Sequence, residues 1–157
     1  MTQLEFNYGG AKTLVALHEQ YLREFLQVWR EADAQKLPLP VTPDPNYASR
    51  EALLAHVMGC AARYLDWICE KLEIAAPEVE LRPDPEGFAD RAESYMESVL
   101  AAWPRPLSTL TEARAYRPAH ESAWGPPFCL DAMLEHAVMH PIRHSYQLRK
   151  LMDTRKS

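Results

Sequence analysis

Apolar side chains recur every three or four positions along four stretches of the chain, which is the spacing that places them on one face of an α-helix. The first stretch runs from about Ala11 to Ala34, and the second runs from Ser49, a favourable N-cap, to about Leu72. The third opens at Asp84 with Pro85 in its first turn. The fourth spans about Leu130 to Met152. The pattern therefore predicts four amphipathic helices.

Proline marks the connections between these stretches, since the chain has thirteen prolines and only five glycines. The longest connection, from Trp103 to Phe128, has no sustained period and predicts an ordered crossover with a short hairpin or a 3₁₀ turn. No set of alternating segments indicates a sheet. We therefore predict an all-α fold, an up-down-type four-helix bundle with a long proline-rich connection between helices 3 and 4.

Length and composition predict one domain over residues 1–157 and exclude several classes of protein. The net charge of -5 and the scattered basic residues argue against a nucleic-acid partner. No apolar run reaches the roughly 20 residues that cross a membrane. The N-terminus does not resemble a secretory signal, so we expect a soluble, cytoplasmic protein. Of the three cysteines, Cys60 and Cys69 are interpreted as reduced core residues.

The fourth stretch carries histidines where its pattern calls for aliphatic residues. His136, His140 and His144 repeat every four positions, and each step turns only about 40° around a helix, so all three share one face. Two imidazoles at this spacing reach a single cation. The glutamate of a His-Glu-x-x-His peptidase is missing, which argues against that class. Pro141 lies between the last two histidines and predicts a kink beside them.

A third ligand has to come from another helix, and His56 is the best candidate. It lies on the same side of the second helix as Leu53 and Cys60, facing the predicted core. His18 on the first helix is the alternative, and His136 could replace or supplement either. Because several buried imidazoles without a shared partner would be costly, the constellation favours one bound metal ion.

Two segments resemble a known family. The stretch from Met133 to Leu148 is similar to the last helix of the DinB-like superfamily, named for the damage-inducible bundle proteins and not for the polymerase of the same name. The stretch Leu53 to Val57 is similar to the family's Leu-x-His-Val segment on the second helix. The tyrosine-containing pair Ser145-Tyr146 stands where the family commonly has Arg-Gly. The family comprises metal-binding four-helix bundles and includes bacillithiol- and mycothiol-dependent transferases.

The resemblance implies that His56, His140 and His144 bind a divalent metal ion, with zinc or nickel expected and iron or copper as alternatives. It further implies a metal-dependent thiol transferase, which directs a low-molecular-weight thiol at an electrophilic small-molecule substrate. His136 and Tyr64 are the candidate catalytic helpers. Two alternatives stay open: a metal-dependent hydrolase, and a non-catalytic metal-binding protein or a homodimeric interaction protein.

Overall fold

The computed structural model describes residues 4–155, most of which are helical. In chain order they form α1 (Gly9–Ala34), a 3₁₀ turn (Pro45–Tyr47), α2 (Arg50–Leu72), α3 (Phe88–Ala102), α4 (Pro104–Ser108), α5 (Glu112–Tyr116), β1 (His120–Glu121), β2 (Pro127–Phe128) and α6 (Leu130–Thr154). The predicted all-α class is confirmed, since the two strands have only two residues each.

The start of α2 follows from local sequence. The Ser49 hydroxyl accepts a hydrogen bond from the Ala52 amide at 3.0 Å, which satisfies one of the free N–H groups of the first turn. Glu51 adds a negative charge where the helix dipole favours it. The helix ends at Glu73, which adopts a left-handed conformation with φ 58°. The predicted bounds of this helix are therefore confirmed.

The prediction that the third helix opens at Asp84 is wrong, because α3 begins at Phe88. The Asp84 carboxylate accepts a hydrogen bond from the Glu86 amide at 3.0 Å and closes a turn. Gly87 then adopts a left-handed φ of 67°, which is incompatible with a continuous helix through this point. The aspartate and proline therefore build the turn that precedes the helix.

The crossover between α3 and α6 is more regular than predicted. Its short hairpin is confirmed: β1 pairs with β2 in antiparallel register, His120 opposite Phe128. The short helices α4 and α5 were not predicted. Pro104 starts α4, and the Thr111 hydroxyl caps α5. The indole of Trp67 donates a hydrogen bond to the Glu121 carbonyl at 3.2 Å, which attaches the hairpin to α2.

Packing of the long helices brings α2 and α6 side by side. Helix α6 packs against both α1 and α2, and α3 packs against α2 and α1. Trp103, Phe25 and Phe88 are fully buried between them. The Arg50 guanidinium lies 2.6 Å from the Asp33 carboxylate, which ties the start of α2 to the end of α1. Within residues 4–155, no helix combines the length and apolarity needed to cross a membrane.

Candidate metal centre

Three histidine rings meet where α2 and α6 face each other. His140 and His144 on α6 are 7% and 6% exposed, and His56 on α2 is half-buried. The ring centre of His56 lies 5.0 Å from that of His140 and 5.5 Å from that of His144. The rings of His140 and His144 are 4.7 Å apart. Helix α6 continues through Pro141, so the proline does not divide it.

These separations suit a shared ion. A zinc ion about 2.1 Å from each ligating nitrogen lies about 3 Å from each ring centre, so tetrahedral coordination places the ring centres about 5 Å apart. The three observed separations between ring centres, 4.7, 5.0 and 5.5 Å, are close to this value. Among the described residues, however, the ligand atoms that all lie within 4.8 Å of one another belong to His56, His140 and Cys60, and His144 is outside that group. The donors are borderline-soft imidazoles, which suit zinc, nickel, iron and copper. The residues therefore fit a divalent transition metal.

Cys60 adds a thiol to this cluster. Ligand atoms of His56, Cys60 and His140 all lie within 4.8 Å of one another, a group that could hold a metal ion. The Cys60 sulfur is 3.8 Å from Nδ1 of His56. The expected burial of Cys60 is confirmed, but the sequence interpretation missed its place in the cluster. The four-residue spacing between His56 and Cys60 already placed both side chains on the same face of one helix.

Tyr47, which the sequence analysis did not single out, orients His144. Its hydroxyl lies 3.3 Å from Nδ1 of His144 and donates a hydrogen bond to the Gln147 side-chain oxygen at 2.8 Å. Because the Tyr47 proton goes to Gln147, the His144 tautomer that suits this contact is the one with its proton on Nδ1, where the tyrosine oxygen can accept it. Nε2 of His144 then keeps its lone pair for a metal ion, and such outer contacts are typical of ligating histidines. Tyr47 precedes His144 by 97 residues, so no sequence spacing reveals the contact.

Burial keeps these imidazoles neutral. Desolvation, followed by the charges of neighbouring histidines, lowers the pKa of His140 to about 2. Burial also lowers the pKa of His144 to about 4, and it lowers the pKa of His56. Neutral imidazole is the form that coordinates metals. The site is therefore in its metal-binding protonation state at neutral pH.

The candidate helpers His136 and Tyr64 line a cavity of about 460 Å³ that also reaches His56 and His140. The His136 ring stacks on Trp124 at 5.1 Å and lies 6.4 Å from the His140 ring. The Tyr64 ring is 5.7 Å from the His140 ring. Burial, together with a side-chain hydrogen bond to Cys60, raises the pKa of the Tyr64 phenol, so this group stays protonated.

His18, the alternative ligand, does not join the cluster. Its ring stacks on Trp103, with ring centres 3.8 Å apart and an interplanar angle of 15°. It is 1% exposed, and neither ring nitrogen has a hydrogen-bond partner among the described residues. His120 also lies apart, packed edge-on against Trp67 at 6.0 Å. The structure thus brings together four of the six histidines, those at positions 56, 136, 140 and 144.

Comparisons of the chain with family models, curated proteins and solved structures find no match. The resemblance to DinB-like proteins therefore remains a prediction. The geometry of the histidine cluster and its cavity is what indicates a function.

Proposed function

We propose that this chain is a metal-dependent enzyme of the DinB-like, up-down four-helix type, with His56, His140 and His144 as metal ligands. The observation that carries the proposal is the convergence of three imidazole rings from two helices, with ring centres no more than 5.5 Å apart. His140 and His144 are neighbours because of their four-residue spacing on α6, whereas His56 reaches them from α2. Burying three imidazoles together is costly unless they share a partner. One ion satisfies all three.

His56, His140 and His144 would hold a divalent ion with a coordination position open, and such an ion would lower the pKa of a bound thiol or water and so supply a nucleophile at neutral pH. The cavity beside His140 is where a substrate meets that position. Tyr47 keeps the His144 ring oriented, while the protonated phenol of Tyr64 lines the cavity beside Cys60. Among metal-activated nucleophiles, the resemblance favours a low-molecular-weight thiol, and we propose thiol transfer to an electrophile as the reaction.

A second candidate function rests on Cys60. If its thiolate supplies a fourth donor next to His56 and His140, coordination is complete and the site is structural, since closed four-ligand sites stabilise folds rather than catalyse. Burial raises the pKa of the Cys60 thiol, and the Arg63 guanidinium, which donates a hydrogen bond to the sulfur at 3.0 Å, opposes this effect and favours the thiolate. The two candidates differ in one coordination bond.

Cobalt substitution separates the two candidates. A thiolate ligand gives an intense sulfur-to-cobalt charge-transfer band in the near ultraviolet, whereas three imidazoles and a solvent molecule do not. We expect wild-type protein and the Cys60→Ala variant to have the same cobalt spectrum and the same metal content. A charge-transfer band that Cys60→Ala removes would support the structural candidate.

Turnover tests the catalytic proposal itself. The metal-loaded protein is incubated with a generic electrophile, with and without a panel of cellular thiols, and consumption of electrophile is followed. We expect turnover that requires a thiol and disappears, together with bound metal, in His56→Ala and His140→Ala. Turnover without thiol would indicate the hydrolase instead. Full metal content in both variants would show that the ligand assignment is wrong.

A further inference from the structure

The cavity beside the histidines has a charge opposite to that of the whole protein. The chain carries 22 acidic and 17 basic residues, a net charge of -5. Among the residues that the structure describes, the cavity lining nevertheless includes two arginines, Arg63 and Arg143, and no aspartate or glutamate. A divalent ion on the neighbouring imidazoles would add two more positive charges. A positive, partly desolvated cavity of this kind concentrates anions.

Arg143 is the guanidinium that is available to a ligand. Within residues 4–155 it forms no ion pair and no hydrogen bond, whereas Arg63 is engaged by the Leu81 carbonyl at 2.7 Å and the Cys60 sulfur. The positive charge of Arg143 contributes to lowering the pKa values of His136 and His140, after desolvation, so it acts on the interior of the site. An unpaired guanidinium at this position matches the planar, two-oxygen geometry of a carboxylate or phosphate.

Asp44 is the carboxylate whose charge acts on His56 and His144, and it forms no ion pair with Arg143. Its charge raises the pKa of His56 and His144 slightly, against the larger effect of burial. The carboxylate accepts hydrogen bonds from the Asn46 amide at 2.9 Å and the Asn46 side chain at 2.8 Å, and it does not line the cavity. It therefore caps the 3₁₀ turn on the Tyr47 side of the cluster.

The walls of the cavity are aromatic and apolar. The ring centre of Trp124 lies 6.3 Å from that of Tyr64 and 5.1 Å from that of His136. Trp124 is 48% exposed and marks the mouth, while the fully buried Met133 lies at the floor. A volume of about 460 Å³ holds a small organic molecule. Flat rings of this kind favour a planar apolar body by stacking.

We infer that the cavity binds a small aromatic or unsaturated oxyanion, with its carboxylate or phosphate on Arg143 and its planar body against Trp124. This inference rests on the proposed function, because it takes the cavity beside His56 and His140 as the substrate site. The charged end binds at the exposed rim, and the rest of the molecule extends toward the buried imidazoles. Arg143 is thus a specificity-determining residue, while the histidines hold the metal.

Calorimetric titration of the metal-loaded full chain with matched probes tests the inference. Benzoate and phenyl phosphate are the anionic probes, and benzamide is the neutral probe of nearly the same shape as benzoate. We expect Arg143→Gln to weaken binding of at least one anion by about tenfold or more and to leave benzamide unchanged, since it removes a charge-assisted hydrogen bond. Arg143→Lys should restore part of the loss. Trp124→Ala should weaken benzoate and benzamide alike.

Arg149→Gln is the control variant, because it removes the same charge from the exposed side of α6, where Arg149 pairs with Glu24. It should leave anion binding unchanged. Anion binding that survives Arg143→Gln but disappears in His140→Ala would place the anion on the metal and overturn the inference, while the metal centre would stand. Binding that depends on Arg143 in a protein that cannot be loaded with metal would support the anion site and contradict the proposed function. Affinities for benzoate and for phenyl phosphate that are both no higher than the affinity for benzamide would overturn the inference outright.

Discussion

Two buried histidine environments in this protein look alike in sequence and differ in structure. His18 lies at an apolar position of α1, and His140 lies at an apolar position of α6. Burial lowers the pKa of both, to about 3 for His18 and about 2 for His140. His18 contacts the face of one tryptophan, whereas His140 has the rings of His56 and His144 within 5.0 Å.

The difference shows that burial alone does not make a ligand. An isolated buried imidazole pays the cost of desolvation without compensation, and stacking on Trp103 recovers only part of it. In the cluster, coordination to one ion can compensate the desolvation of all three imidazoles. What separates the two cases is the convergence of donors from different helices, and the following predictions test that contrast from the largest expected effect to the smallest.

The first prediction compares loss of a ring in each environment. We expect His144→Ala to lower zinc affinity by more than about a hundredfold, beyond the tenfold to hundredfold typical of outer contacts, because a direct ligand is lost. His18→Ala should leave zinc affinity unchanged. Competition with a chromogenic chelator measures both. Similar losses of zinc affinity in the two variants would mean that His144→Ala acts by disturbing the fold and not by removing a ligand.

The second prediction concerns acid. Because the pKa of His18 in the folded state, about 3, lies below the ordinary value near 6.5, the unfolded chain takes up the proton first as the pH falls. The free energy of unfolding is therefore fully retained above about pH 6.5 and declines toward pH 3. In metal-free protein the lowered pKa values of His140 and His144 add to this decline.

Urea unfolding at a series of pH values, with a chelator present, measures the second prediction. His18→Phe should make the decline between about pH 6.5 and 3 less steep by up to about 1.4 kcal/mol per pH unit, the limit for one titrating group. The metal-loaded protein should show a further loss when protons displace the ion. Identical slopes for wild type and His18→Phe would contradict the low pKa of His18.

The third prediction concerns Tyr47. Tyr47→Phe removes the hydroxyl beside Nδ1 of His144 and keeps the ring, so it should lower zinc affinity about tenfold to a hundredfold. Thermal stability of the metal-free protein should change little, because Tyr47 is only partly buried. Tyr146→Phe is a suitable control, since Tyr146 is 64% exposed on the same helix as His144. An unchanged affinity in Tyr47→Phe would remove the tyrosine from the metal site.

The smallest effect is expected from His18→Phe at neutral pH. The change keeps an aromatic ring on Trp103 and removes two nitrogens that have no hydrogen-bond partner within residues 4–155. We expect the free energy of unfolding to rise by about 1 kcal/mol, the lower end of the cost of an unsatisfied buried group, because the larger ring takes back part of the gain. Chemical denaturation with zinc present gives the value. A clear loss of stability would indicate that His18 has a polar partner.

Several features of the fold and the site were predictable from the residues alone. The periodic stripes located α1, α2 and α6 within two residues of their observed ends, because an amphipathic helix has to bury its apolar face whatever it packs against. The spacing of His140 and His144 placed both on one face, and their 4.7 Å ring separation agrees with that. The start of α3 was wrong because the Asp84 turn and Gly87 are decided by a few local hydrogen bonds that resemble a helix start.

The sequence by itself therefore determined the helices, which residues share a face of each helix, and that imidazoles repeat along one of those faces. Only the tertiary structure decided which helix faces pack against each other. The spacing of residues along one helix carries no information about which other helix it contacts. That packing brings His56 to the α6 histidines, sends His18 to Trp103, and sets Tyr47, Cys60 and Arg143 around the cluster.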